Sequence, residues 1–197
     1  MKKYILVVVL LFSVFSFYSQ LDYRGWKTWQ SLSGSYKINK KSTIEGVLSS
    51  RNRHALTTLD QLFLDLSYNR ELKKKQSLSF GYRLVFDNEE FKNQIVNRFN
   101  IDYSYRYKII KKHYLIFRNR VQAKVYYDKE ISFLDRLRLK YTYKYKKKID
   151  VSFYTEGFYR FNNGVSFYKY RIGTSINYKL YKRLKLGVKY ILMNEIM

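Results

Sequence analysis

The chain contains no cysteine and no proline, and only 8 of its 197 residues are glycine. Without cysteine there is no disulfide framework, no thiolate zinc site, no cysteine nucleophile and no lipid-modified N-terminal cysteine. Lack of proline and scarcity of glycine exclude collagen-like segments and flexible linkers. Histidine is nearly absent, with 2 residues, and the 15 acids are outnumbered by 39 Lys and Arg for a net charge of +24. There is no Gly-rich phosphate loop, nucleotide fingerprint or metal-binding histidine cluster, so no cofactor is expected. What the chain has in abundance is aromatic, 22 Tyr and 14 Phe. Such residues favour strands.

Lys2 and Lys3 precede an almost unbroken apolar run over residues 4–17, followed by Tyr18, Ser19 and Gln20. That is the charged, hydrophobic and small-residue order of a secretory signal peptide. Cleavage is expected near Ser19, giving a signal peptide at 1–19 and one domain over 20–197, with a retained anchor as the alternative. No later apolar stretch is long enough for a transmembrane helix, so a membrane span must be made of strands.

Beyond residue 24 the pattern has period two. Leu62, Leu64, Leu66 and Tyr68 oppose Gln61, Asp65, Ser67 and Asn69; Leu78, Phe80, Tyr82, Leu84 and Phe86 oppose Ser77, Ser79, Gly81, Arg83 and Asp87. Further runs set Phe99, Ile101 and Tyr103 against Arg98, Asn100 and Asp102, and Leu137, Leu139 and Tyr141 against Arg136, Arg138 and Lys140. The first two runs, 26–38 and 42–53, are less clean. About ten runs are visible, most of them long enough to cross a bilayer as tilted strands. Short lysine clusters separate them, as at Lys40-Lys41, Lys73-Lys74-Lys75, Lys111-Lys112, Lys146-Lys147-Lys148 and Lys182-Arg183, and read as turns.

A soluble barrel or sandwich also alternates, with its apolar face turned inward. Strand length, the export signal and tyrosines near run ends favour the membrane. Tyr68, Tyr107, Tyr127, Tyr145, Tyr168, Tyr178 and Tyr190 sit where aromatic girdles meet the two interfaces. The expected fold is all-β: an antiparallel up-and-down transmembrane β-barrel of about 10–12 strands.

Early Trp26 or Trp29, Phe80-Gly81-Tyr82-Arg83, Arg98-Phe99-Asn100-Ile101-Asp102-Tyr103 and Arg118-Asn119-Arg120 form a succession of weak motifs. Leu137-Arg138-Leu139-Lys140-Tyr141, Thr155-Glu156-Gly157-Phe158-Tyr159-Arg160 and Tyr170-Arg171-Ile172-Gly173 continue it. In order and spacing the chain resembles the Bacteroidota outer-membrane barrels grouped as domain of unknown function 2490. The resemblance implies a barrel in a Gram-negative outer membrane, reached by export, with no established activity. Family members generally continue through another strand ending in an aromatic residue, of the kind read by barrel-assembly machinery, whereas this chain stops at Met197. The last strand is therefore open to being absent. Ten strands also place both termini on one side, which an extra strand at each end or an inverted loop polarity would reconcile with short periplasmic turns.

The polar face expected to line the lumen carries Glu45, Arg51, Asp65, Arg83, Asp102, Arg106, Arg118, Arg120, Arg136, Arg138, Glu156, Arg160 and Arg171. Two readings compete. One is a packed guanidinium–carboxylate network filling a narrow barrel; the other is a narrow anion-selective pore. A lipid-modifying enzyme would need a nucleophile with a base beside it. His54 near Ser49 and Ser50, and His113 beside a lysine turn, offer no such spacing, so no catalysis is expected. Export removes the chain from cytoplasmic nucleic acid. Its basic turns point instead to outer-membrane lipid and lipopolysaccharide as partners, with barrel-assembly machinery during biogenesis.

Overall fold

The computed structural model describes residues 26–53, 58–73, 75–89, 92–126, 131–146, 148–161, 164–181 and 183–195. The expected signal peptide at 1–19, His54 and Tyr127 lie outside them. Ten strands follow one another: β1 (Trp26–Lys37), β2 (Ser42–Arg53), β3 (Thr58–Lys73), β4 (Gln76–Glu89), β5 (Lys92–Ile110), β6 (His113–Tyr126), β7 (Ser132–Tyr145), β8 (Ile149–Arg160), β9 (Ser166–Lys179) and β10 (Leu184–Glu195). Each is antiparallel to its sequence neighbours. β1 pairs with β10 from Trp26↔Leu192 to Gly34↔Leu184, which closes the barrel.

The ring thus closes without a further strand, the possibility that the sequence had left open. Every strand has two hydrogen-bonded neighbours, so no edge is left in hydrocarbon. No extra strand at either end is needed, and an even number of consecutive strands leaves Trp26 and Glu195 at the same end. The lysine-rich connections β1–β2, β3–β4, β5–β6, β7–β8 and β9–β10 all lie at the other.

Alternation decides which face meets what. Leu48, Leu66, Phe80, Ile101, Val121 and Ile172 point outward and are each 47–50 % exposed. A belt of half-exposed large apolar side chains around the whole wall is a lipid-facing surface, far beyond the patches a soluble monomer shows. The barrel is transmembrane. Inward positions hold polar residues at mid-strand, and beside them an apolar cluster of Trp29, Phe63, Val85, Val96, Tyr154 and Ile191.

Two bulges adjust the lumen. Between β2 and β3, Arg51↔Gln61 is followed by Asn52↔Leu59, so Asp60 is the additional residue; its side chain is fully buried beside Lys27 Nζ at 2.8 Å. Between β8 and β9, Phe158↔Lys169 is followed by Tyr159↔Phe167, which leaves Tyr168 as the additional residue. Its ring meets Phe158 edge-on at 6.3 Å and lies under the Arg160 guanidinium at 4.5 Å. Both are lumen-side residues, so Tyr168 turns inward and is not part of an outer girdle. An unpaired residue in a bulge escapes strict alternation.

Candidate functional site in the barrel lumen

The middle of the lumen is organised by one carboxylate. Glu156 sits opposite Arg138 of β7 and Arg171 of β9 in the strand register, and none of its side chain is exposed. Arg138 binds it in a fork, Nε to Oε1 at 3.1 Å and Nη2 to Oε2 at 3.0 Å. Arg136 donates from Nη2 to both oxygens, at 3.0 and 3.1 Å, and Arg118 donates from Nη2 to Oε1 at 2.9 Å. Arg171 Nη1 stands 3.3 Å from Oε2. Four guanidinium groups from three strands thus converge on one buried acid, a geometry that Arg's planar fork suits and Lys would not.

A second acid extends the network. Asp102 accepts two parallel bonds from Arg120, Nε to Oδ1 and Nη2 to Oδ2, both at 2.6 Å. Arg118 links the two acids, because its Nη1 is 3.6 Å from Asp102 while its Nη2 holds Glu156. Asp65 and Arg83, directly opposite across β3 and β4, form a separate ion pair through Oδ1 and Nε.

Five arginines facing two carboxylates leave positive charge in excess, and aromatic rings meet it. Arg136 and Arg171 lie over the Phe158 ring at 4.7 and 4.8 Å, and Arg138 lies over Tyr154 at 4.6 Å. Arg51, Arg171 and Lys189 surround Trp29 at 4.2, 5.2 and 5.7 Å. The electron-rich ring faces substitute for missing acids, an attraction that strengthens where water is excluded. Trp29 in turn packs edge-on against Phe63 at 5.3 Å.

Of the residues expected in the lumen, Asp102, Arg118, Arg120, Arg136, Arg138, Glu156 and Arg171 are joined in this network. Asp65 and Arg83 pair with each other, and Arg51 stacks on Trp29. Glu45 is inward by register opposite Ser35 and Ser67, outside the network. Arg106 and Arg160 lie at exposed positions near the two rims. The aromatic members Trp29, Phe63, Tyr154 and Phe158 escaped sequence reasoning. Their signal was an apolar residue on a polar face, as in Phe63 between Leu62 and Leu64.

The remaining chemistry is sparse. His113 Nδ1 is 2.5 Å from Tyr141 Oη, and its ring packs on Tyr143 at 4.8 Å, on the outer wall. Among the described residues no group of His, Asp and Glu has the arrangement to hold a metal. A concavity of about 660 Å³ lies in the outer wall, lined chiefly by lipid-side residues such as Ile44, Leu66, Phe99 and Phe133.

The sequence profile of a family described as protein of unknown function (DUF2490) matches residues 26–195, the whole ring of strands. The chain belongs to the DUF2490 family. Solved structures similar to this DUF2490 barrel include the translocator domain of the autotransporter NalP from Neisseria meningitidis, at 8 % identity and a TM-score of 0.49 over 98 % of this chain and 96 % of that one. The KdgM porin is similar at 10 % identity and a TM-score of 0.46, over 85 % of this chain and 98 % of that one. The NanC porin shares 9 % identity and a TM-score of 0.43, over 84 % and 99 %. No curated protein sequence matches the chain. The ten-strand closure of the DUF2490 barrel stands on its own strand pairing.

Proposed function

We propose that the chain is a barrel of the outer membrane of a Gram-negative bacterium of the Bacteroidota, delivered by the signal peptide at 1–19, whose lumen is sealed by its own side chains. On this reading it is a structural or interfacial membrane component rather than a catalyst. The observation that carries the reading is Glu156, held near the middle of β8 by arginines of β6, β7 and β9. That network covers the β6–β9 arc, and the buried side chains of Trp29, Phe63, Val85, Val96, Tyr154 and Ile191, from β1, β3, β4, β5, β8 and β10, meet across the rest of a narrow lumen. A buried network in which both oxygens of Glu156 accept several bonds is rigid and does not part readily for a flowing column.

Purified protein reconstituted in planar lipid bilayers tests the seal. The wild type is expected to give no steady conductance, and Glu156→Ala is expected to leak as the arginines lose their anchor. Steady, anion-preferring conductance in the wild type would favour the second reading, a narrow anion-selective pore. The excess of lumenal arginine over carboxylate is the observation on that side. A lipid-modifying enzyme finds less support, since His113 is engaged by two tyrosines.

A further inference from the structure

The two ends of the barrel differ sharply in charge. The five short connections with their flanking residues, 37–42, 70–76, 106–113, 144–150 and 179–185, hold 19 Lys and Arg against 2 acids. The four connections at the opposite end, 53–60, 87–94, 126–132 and 160–166, hold 6 acids and 4 Lys and Arg. Net charge is therefore concentrated on one rim. It is not spread as a general solubilising surface.

That rim is also banded with tyrosine. Tyr36, Tyr68, Tyr107, Tyr145 and Tyr178 point outward near the lysine-bearing ends of five strands. Rim cations lie on such rings: Lys75 Nζ over Tyr107 at 5.5 Å, Lys146 Nζ over Tyr145 at 5.2 Å and the Arg183 guanidinium over Tyr36 at 5.2 Å. The apolar stems are thereby laid against the girdle with the charged heads at headgroup depth.

The backbone bears the same mark. Lys112 and Lys146 adopt φ of 71° and 55°, in the left-handed region where glycine or asparagine is the unstrained choice. At the opposite end the corresponding positive φ, 112°, falls on Gly164. At the basic rim the strained positions carry lysine.

We infer that the lysine rim faces the cell exterior and binds the phosphate groups of the outer-leaflet glycolipid. The inference rests on the proposed outer-membrane location. The ends of the strand ring, Trp26 and Glu195, lie at the opposite rim, which is the side from which an exported strand ring enters the membrane. Charge complementarity then matches the most phosphate-dense leaflet, each lysine near the surface adding attraction. Loop polarity is inverted relative to barrels whose shortest turns are periplasmic.

Because the chain has no cysteine, single cysteines are clean reporters. Lys75→Cys and Lys111→Cys at the rim, and Val165→Cys at the opposite end, are expressed and treated with a membrane-impermeant maleimide. The rim cysteines are expected to react on intact cells, and Val165→Cys only after the outer membrane is permeabilised. Native mass spectrometry of the purified protein then compares lipid A, its dephosphorylated form and phosphatidylglycerol. Retention is expected for lipid A alone, falling about fivefold for each of Lys40, Lys75, Lys111 and Lys148 replaced by Gln. Reversed labelling overturns the orientation. Equal retention of the dephosphorylated form, or preference for phosphatidylglycerol, overturns the ligand. Fractionation of the same cells separates these failures from that of the location, since a protein outside the outer membrane overturns both.

Discussion

Arg138 and Glu156 stand directly opposite each other across β7 and β8 and join by two parallel bonds, at 3.1 and 3.0 Å. Strand register alone creates this pair, and three more arginines then converge on the same carboxylate. Burying so much charge is costly, and only mutual satisfaction offsets it.

Removing that carboxylate should therefore be severe. Glu156→Gln leaves four guanidinium groups around a neutral amide, and breaking a buried pair in this way costs about 3–5 kcal/mol. Urea unfolding of detergent-folded protein, followed by the fluorescence of the two tryptophans, is expected to show a much lower midpoint for the variant. Equal midpoints would mean the network does not hold the lumen.

Gly173 is where the ring of Tyr154 finds room. A Cβ there would lie 2.6 Å from both Cζ and Oη of Tyr154, so Gly173→Ala must push the ring off its position over Arg138. Overpacking of this kind costs about 1–3 kcal/mol. Gly34→Ala is the control, since no atom lies within 4 Å of its Cβ position. The same unfolding assay should separate the two; similar losses, or none, would show that Tyr154 is free to move.

The lipid-facing wall has its own test. Ile101 points outward, is 50 % exposed and lies on β5 one residue before Asp102. Ile101→Arg places a charge in hydrocarbon and should destabilise the liposome-inserted barrel by about 2–4 kcal/mol. On a water-facing surface the same change would be nearly neutral, so an unchanged folding equilibrium in liposomes would argue against a transmembrane wall.

Local pattern made the strands legible. Even for the two less clean runs, expected at 26–38 and 42–53, β1 ends at Lys37 and β2 at Arg53, and Asn39-Lys40-Lys41 mark the break between them. Lumenal arginines were legible for the same reason, since each occupies a polar-face position. Their partners were not: Arg118 reaches Asp102 on one side and Glu156 on the other only because β5, β6, β7 and β8 align in one register. Period-two reading also treats each face as uniform. Tyr154 and Phe158, inward among polar neighbours, escape it, and so does Tyr168, displaced by a bulge. Ring closure through β1 and β10 is a contact between opposite ends of the chain, about which neither strand carries a local signal.

Cell fractionation combined with electrophoresis before and after boiling tests the membrane-spanning barrel most directly. The protein is predicted to sediment with outer membranes and to migrate differently when unheated, because the closed strand ring resists detergent until it is boiled. A freely soluble periplasmic protein with one mobility under both conditions would contradict a transmembrane barrel.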